Sequence, residues 1–124
     1  MRYALPMNKS DSLHNLSAAL ADFVNERDWG QFHSPKNLAM ALAAEAGELL
    51  EHFQWLNEEQ ADSLSATQRA EVAMELADIL MFLLGLADRL QIDLLKAATA
   101  KLELNRQRYP VEKARGRATK YDKL

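Results

Sequence analysis

The stretch from Leu76 to Leu86 places apolar side chains on nearly every side of a helix. A helix that is apolar all round must be buried on all sides, and a four-helix monomer would leave one of its faces wet. Residues 66–90 contain no proline, and strand-like alternation is absent from the chain. These features predict an all-α bundle that is completed by packing this helix against another subunit.

Hydrophobic periodicity and capping signals together predict four helices. The predicted spans are about 12–28, 34–55, 66–90 and 93–108. Ser34 is a good N-cap because Pro35 follows it, and Ser65 with Gln68 matches a capping box. Asp93 is the predicted cap of the fourth helix, which ends before a proline. The segments RDWGQFHSP and LNEEQADSLS are predicted to be a loop and a polar connector.

The chain's 124 residues suit a single domain spanning residues 1–124, in which 1–11 and 110–124 are tails that are flexible or ordered by a substrate or partner. The chain contains no cysteine, which excludes a disulfide framework and fits a cytoplasmic protein. MRYALPMNKSDS lacks the pattern of a signal peptide. The longest apolar run, ILMFLLGLA, is shorter than the ~20 residues of a membrane helix, so no membrane association is expected.

Charge is distributed unevenly along the chain. Residues 1–100 carry 7 basic and 15 acidic side chains, whereas residues 101–124 carry 8 basic and 3 acidic ones. A basic tail on an acidic body is compatible with nucleic-acid binding. It is equally compatible with holding phosphate groups near an acidic, metal-loaded site, and net charge alone does not choose between these functions.

Two pairs of carboxylates interrupt the apolar helices at the same spacing. Glu45 and Glu48 lie in LAMALAAEAGELLEHFQWL, and Glu75 and Asp78 lie in the third helix. At about 100° per residue, the two members of each pair project from one face and border the core stripe. Buried carboxylates without partners are costly, and four near one another repel, so this pattern requires a compensating charge.

A divalent cation would supply that charge, because carboxylate oxygens suit a hard ion such as Mg²⁺, which also takes oxygens from phosphates. Acids on facing helices of a bundle are an established way to build a metal site. A di-iron site is disfavoured because the usual Glu-x-x-His motif is absent and His52 lies four residues after Glu48. Spacing alone also allows neutralisation by Arg69, Arg89 or Lys101.

Two longer segments extend this pattern into a family resemblance. AEAGELLEHFQW followed by EVAMELADIL resembles the E-x-x-E … E-x-x-D signature of the MazG-like all-α nucleoside triphosphate pyrophosphohydrolases. FVNERDWGQFHSPKNLAMALAAEAGELLEHFQW and NRQRYPVEKARGRATKY are similar to the dCTP pyrophosphatase branch of that superfamily. The resemblance covers roughly residues 16–122.

The resemblance implies hydrolysis of a nucleoside triphosphate between its α- and β-phosphates, which yields a monophosphate and pyrophosphate and cleans the nucleotide pool. It implies Mg²⁺, with Mn²⁺ as a substitute ion, held by Glu45, Glu48, Glu75 and Asp78. Glu48 is the expected general base, since one carboxylate must take a proton from water. Members of the family pack these helices between subunits, so a homo-oligomer, either a dimer or a tetramer, is expected.

The substrate-binding residues are also predicted from motif position. The base pocket is expected to be aromatic, because stacking on a base stabilises binding. Side chains near the fourth helix and in the tail would hold the sugar and triphosphate. The alternative is that the aromatic residues plug the ends of the bundle and the charged ones are solvated. The predicted set is Trp29, His33, Trp55 and Phe82 for the base, and Lys101, Asn105, Arg108, Tyr109 and Lys120 for the rest, with Phe32 and Tyr121 as further candidates.

Two positions depart from the vertebrate members of that branch. Phe82 stands where they carry a tyrosine, and Leu20 stands where they carry a histidine. Loss of polar groups relaxes discrimination between substrates, so pyrophosphohydrolysis is a firmer expectation than a preference for dCTP or a 5-modified dCTP. The alternatives are a house-cleaning enzyme of broader specificity and a non-catalytic nucleotide-binding or regulatory module. Nucleic acid is not expected as a partner, since the resemblance explains the basic tail.

Overall fold

The computed structural model describes residues 12–124, and the prediction of an N-terminal tail over 1–11 lies outside these residues. The described part of the chain is helical and contains no strand, which confirms the predicted all-α class. None of its helices is long and apolar enough to cross a membrane. The helices are Leu13–Glu26 (α1), Pro35–Glu51 (α2), Glu58–Asp62 (α3), Ala66–Arg89 (α4), Leu94–Arg108 (α5) and Val111–Ala114 (α6).

The predicted start signals are used as N-caps. The Ser34 hydroxyl accepts a hydrogen bond from the backbone of Asn37 at the start of α2. Ser65 and Gln68 form a complete capping box at the start of α4. The Asp93 carboxylate caps α5. Each side chain satisfies a backbone N–H that the helix itself leaves without a partner, so these boundaries could be predicted locally.

The ends of the helices are set by backbone geometry that the sequence pattern did not reveal. α1 stops before Asp28, whose φ of 53° is left-handed, and Trp29–Phe32 then forms a 3₁₀ turn. Aspartate tolerates this conformation better than most residues. α2 ends at Glu51 rather than near Trp55, because short-range bonds such as the one from the Phe53 N–H to the Leu50 carbonyl tighten the last turn.

Two segments contain helices where none was predicted. The connector after α2 contains α3, which has its own capping box between Asn57 and Gln60. The C-terminal segment, predicted to be a tail that is flexible or ordered by a substrate or partner, contains α6 and a 3₁₀ turn at Tyr121–Lys123. Both elements are very short, and apolar periodicity cannot signal a helix that spans about one turn.

The chain divides into two compact units, residues 1–91 and 92–124. Within the first unit α2 packs along α4, and α1 also contacts α4. Leu38 of α2 is buried, and its two methyl groups lie 3.9 Å from the point where a Cβ on Gly85 of α4 would stand. Leu84 and Ala87 complete the buried apolar set among the described residues. This packing fixes the α2 face that carries Glu45 against α4.

Many large apolar side chains of α2 and α4 remain exposed in the single chain. Met74 is 66% exposed, Leu76 is 51% exposed, and Leu50 is 61% exposed. Only Leu84 and Ala87 of α4 are buried. The single chain therefore does not bury α4 on all sides, as the sequence pattern requires. Exposed apolar side chains of this kind are typical of a surface that packs against another subunit.

Candidate metal and nucleotide site

Packing of α2 on α4 brings together carboxylates that lie far apart in sequence. Glu45, Glu48 and Glu75 each offer one oxygen, and these three atoms lie within 4.8 Å of one another. The i, i+3 spacing places the two α2 acids on one face of that helix. The tertiary contact between α2 and α4 supplies the third acid. These carboxylate oxygens are therefore close enough together to hold a metal ion.

Two oxygens of this cluster have no hydrogen-bond partner. Glu45 Oε2 and Glu75 Oε2 are both buried from solvent and unpartnered among the described residues. Burying a carboxylate oxygen without a partner costs free energy, and like charges nearby add to this cost. A cation bound between the carboxylates would remove both penalties. The donor set and its unsatisfied atoms therefore fit a metal ion.

The pKa values of Glu45 and Glu48 reflect the same crowding of negative charge. A proton shared with Glu75, together with desolvation and repulsion from Asp78 and Glu75, raises the pKa of Glu45 above its ordinary value. A proton shared with Glu45, together with repulsion from Glu45 and desolvation, raises the pKa of Glu48. Both shifts reflect crowded negative charge, which a proton or a metal ion would neutralise.

Asp78 occupies a different place from the other three predicted ligands. It is half-buried on α4, and its charge contributes to the raised pKa of Glu45. Its oxygens are not part of the group within 4.8 Å. The structure thus brings three of the four acids into one cluster, with the fourth close enough to repel it.

His52 also reaches this cluster, and the sequence pattern gave it no such role. It caps the C-terminal end of α2, and its Nε2 lies 3.8 Å from Glu75 Oε1. Its Nδ1 lies 3.9 Å from Glu71 Oε2. Glu71 lies four residues before Glu75, on the same face of α4. That spacing was the sequence signal for Glu71, whereas only the packing of α2 on α4 reveals the contact of His52.

The aromatic residues predicted to hold a base are divided between separate places. Trp29 packs edge-on against Phe23 of α1 at a centroid distance of 5.5 Å, and its ring lies 6.5 Å from that of His33. The Arg27 guanidinium lies 3.7 Å from the centre of the Phe23 ring. Phe23 itself is 42% exposed. This small cluster joins α1 to the 3₁₀ turn.

The other two predicted base contacts stand apart from this cluster. Trp55 follows α2 and is 86% exposed, so it has a large free face for stacking. Phe82 is half-buried on α4. Within residues 12–124 no ring contact joins either side chain to Trp29. Phe32 belongs to the 3₁₀ turn and is 60% exposed.

In the second unit, part of the predicted phosphate-binding set is held together by aromatic contacts. The Arg108 guanidinium lies 4.5 Å from the centre of the Tyr121 ring. Tyr109 packs edge-on against the same ring at 6.0 Å. Asn105 is half-buried, and its backbone carbonyl accepts from the Tyr109 N–H. Lys101 and Lys120 are exposed. The contacts of Tyr121 order the C-terminal segment around the end of α5.

Comparison with known proteins places this arrangement in a family. Residues 40–124 match the sequence model of the MazG-like family. The chain belongs to the MazG-like family. The matched range contains all four predicted acidic ligands and every predicted substrate-binding residue except Trp29, His33 and the further candidate Phe32.

Curated and solved MazG-like relatives agree with this assignment. The chain is 45% identical to dCTP pyrophosphatase 1 of Bos taurus and 42% identical to dCTP pyrophosphatase 1 of Homo sapiens. Both comparisons span 115 residues, covering 91% of this chain and 68% of the relative. A crystal structure of a pyrophosphatase from Archaeoglobus fulgidus matches with a TM-score of 0.76 and 33% identity, over 88% of this chain and 99% of the other.

Proposed function

We propose that this protein is a Mg²⁺-dependent nucleotide pyrophosphohydrolase that converts dCTP, or a 5-modified dCTP, to the monophosphate and pyrophosphate. That it is a nucleotide pyrophosphohydrolase follows from the MazG-like family and from relatives that are dCTP pyrophosphatases. The observation that supports the metal is the cluster of Glu45, Glu48 and Glu75, with its two buried and unpartnered oxygens. The proposed role is to remove a nucleotide from the pool, in the cytoplasm where that pool lies.

The acidic residues would hold the ion. Glu45, Glu48 and Glu75 present carboxylate oxygens close together, and Asp78 adds negative charge beside them. A donor set made only of oxygens favours Mg²⁺, with Mn²⁺ as a substitute. Bound Mg²⁺ would neutralise triphosphate charge, which is the main requirement of phosphoryl chemistry. A triphosphate would otherwise be repelled by this acidic face.

Glu48 is the proposed general base. It is the exposed member of the cluster, so water has access to it, whereas Glu45 and Glu75 are half-buried. Its pKa is raised by Glu45, which brings its basicity closer to that needed near neutral pH. Glu48 would take the proton of the attacking water, and its neighbours would stay ionised to hold positive charge.

Candidate contacts of the nucleotide occur within each unit. Trp29, His33 and the exposed face of Trp55 are the proposed contacts of the base. Lys101 and Arg108 are the proposed contacts of the triphosphate, with Tyr109 and Lys120 beside it. Asn105 is the proposed contact of the sugar. Arg108 is preset for this role because stacking on Tyr121 orients its guanidinium.

Homo-oligomerisation is part of the proposal. The exposed apolar side chains of α4, Met74 and Leu76 among them, need cover that the single chain does not supply. A second copy packed on α4 would bury such side chains. We propose a dimer or a tetramer on this basis.

The test is pyrophosphate release from canonical and 5-modified dNTPs and NTPs, with Mg²⁺, with Mn²⁺ and with EDTA. Glu48→Gln removes the proposed base, and Glu59→Gln, at an exposed glutamate of α3, is the matched control. We expect monophosphate plus pyrophosphate, lost with EDTA and in Glu48→Gln but retained in Glu59→Gln. Absence of turnover by folded, Mg²⁺-saturated protein would overturn the proposal and leave a nucleotide-binding module.

A house-cleaning enzyme of broader specificity is the second candidate, and Phe82 is the observation that favours it. The resemblance predicts a tyrosine hydroxyl at this position, and phenylalanine cannot donate a hydrogen bond to a substrate. Similar kcat/KM values for pyrimidine and purine triphosphates would support this candidate. A preference for cytosine nucleotides of about 100-fold or more would exclude it.

A further inference from the structure

His52 lies between two carboxylates of α4. Its Nδ1 is 3.9 Å from Glu71 Oε2, and its Nε2 is 3.8 Å from Glu75 Oε1. The two glutamates are four residues apart, so they form adjacent steps on one helix face. His52 itself caps the C-terminal end of α2. The imidazole therefore links the end of one helix to the face of another.

The two oxygens of Glu75 have different surroundings. Oε1 lies beside the imidazole, whereas Oε2 is buried and has no hydrogen-bond partner. Glu75 also supplies one oxygen to the cluster with Glu45 and Glu48. A distance of 3.8 Å is too long for a direct hydrogen bond, but an N–H dipole at Nε2, or the charge of the ring when it is protonated, still attracts the carboxylate. One side of the carboxylate thus has a fixed neighbour, and the other remains without one.

We propose that His52, backed by Glu71, is a positioning residue that sets the orientation of the Glu75 carboxylate for metal binding. Groups behind a metal ligand commonly set its orientation and so raise affinity for the ion. His52 is only 27% exposed at its side chain and Glu75 is 19% exposed, so water competes weakly for the contact. Glu71 is 57% exposed and acts only by holding the far side of the ring.

This inference rests on the proposed metal site, and it goes beyond the four acids of the family motif. His52 lies outside the E-x-x-E and E-x-x-D pairs, and Glu71 precedes the second pair by four residues. His52 would act through Glu75 and would not itself hold the ion, since its ring nitrogens are not among the ligand atoms that lie within 4.8 Å of one another. Its removal should therefore weaken metal binding more than it lowers kcat at saturating metal.

The experiment measures Mn²⁺ binding to the full chain by calorimetry and by the electron paramagnetic resonance signal of free Mn²⁺. His52→Leu keeps an apolar body and removes both nitrogens, and we expect the Kd for Mn²⁺ to rise about 10-fold. His52→Gln places an amide N–H near the position of Nε2, so most of the affinity should return. Glu71→Gln should raise the Kd about 2- to 3-fold, a smaller effect at an exposed partner.

Glu59→Gln is the matched control for Glu71→Gln, since it removes the same charge from an exposed glutamate outside the contact. We expect its Kd for Mn²⁺ to equal that of the wild type. In activity assays, His52→Leu should need about 10-fold more Mg²⁺ for half-maximal rate and should approach the wild-type kcat at saturation. Thermal unfolding in EDTA checks that each variant is folded.

The outcomes separate this inference from the proposed function. Wild-type affinity in a folded His52→Leu variant would overturn the positioning role and leave the metal site standing. The same loss of affinity in His52→Gln as in His52→Leu would also overturn it, because packing rather than the facing N–H would then matter. A wild-type protein that binds neither Mn²⁺ nor Mg²⁺ would overturn the metal site and, with it, any role of His52.

Discussion

Two regions of the molecule differ in how their charged side chains are partnered: the acidic face of α2 and α4, and the basic segment from α5 to the C-terminus. Glu45 and Glu75 each keep a buried oxygen without a partner, and the pKa of Glu45 is raised by its neighbours. In the basic segment Arg108 stacks on Tyr121, while Lys101 is exposed. We therefore expect a bound ion to stabilise the acidic face, whereas the aromatic contact of Arg108 needs no ligand. Substitutions in the two regions should therefore have different consequences.

The largest expected effect is that of Glu75→Gln. Activity should fall about 100-fold or more, because the amide cannot supply the charge that holds the ion. In EDTA, however, the variant should unfold at a higher temperature than the wild type, since one of the repelling carboxylates is gone. Pyrophosphate release measures the loss of activity, and thermal unfolding measures the gain in stability. Lower stability of the variant in EDTA would show that Glu75 stabilises the fold, and would contradict the idea that its repulsion destabilises the metal-free protein.

A smaller effect is expected at the basic segment. Lys101→Ala should raise KM for the triphosphate about 10-fold, the equivalent of one charge-assisted hydrogen bond, and should leave the unfolding temperature almost unchanged. Lys96→Ala is the matched control, because it removes the same charge from an exposed position on the same helix. Equal KM values for the two variants would mean that overall charge, rather than a contact of Lys101, attracts the substrate.

Phe82→Tyr tests whether a hydroxyl group at position 82 of α4 increases discrimination between substrates. Restoring the hydroxyl should raise discrimination for the preferred base about 2- to 10-fold, the value of one neutral hydrogen bond. The measurement is the ratio of kcat/KM values for dCTP and its competitors. If the ratio is unchanged while stability falls, Phe82 contributes to packing and is not a substrate contact.

The smallest effect concerns pH. The pKa values of Glu45 and Glu48 are raised in the folded protein above the ordinary value of 4.5. Folding therefore favours their protonated forms, so this contribution to stability is full below about pH 4.5 and is lost as pH rises through the raised values. In EDTA, the unfolding temperature of Glu45→Gln should exceed that of the wild type by an amount that grows with pH, on the order of a few °C.

Saturating Mg²⁺ is the control for this pH series. The ion stabilises the ionised carboxylates of the wild type, so the advantage of Glu45→Gln should vanish or reverse as Mg²⁺ binds. A difference in unfolding temperature that does not vary with pH would mean that the pKa of Glu45 is not raised in the folded protein.

The start of each long helix could be predicted because it depends on residues that are close in sequence. Ser34, Ser65 and Asp93 cap their helices as expected, since a capping side chain bonds to the backbone three residues ahead. The helix ends, α3 and α6 could not be predicted in the same way. Asp28 adopts a left-handed conformation, and the two short helices are too brief for periodicity to signal them.

For the candidate site, the sequence determined which residue types are available and on which helix face each one lies. The spacing of Glu45 with Glu48, and of Glu75 with Asp78, predicted two acidic faces bordering the core. Only the tertiary structure decided that three of these oxygens come within 4.8 Å and that His52 stands behind Glu75. The physical reason is that helical periodicity fixes directions within one helix, whereas distances between helices depend on how their side chains pack.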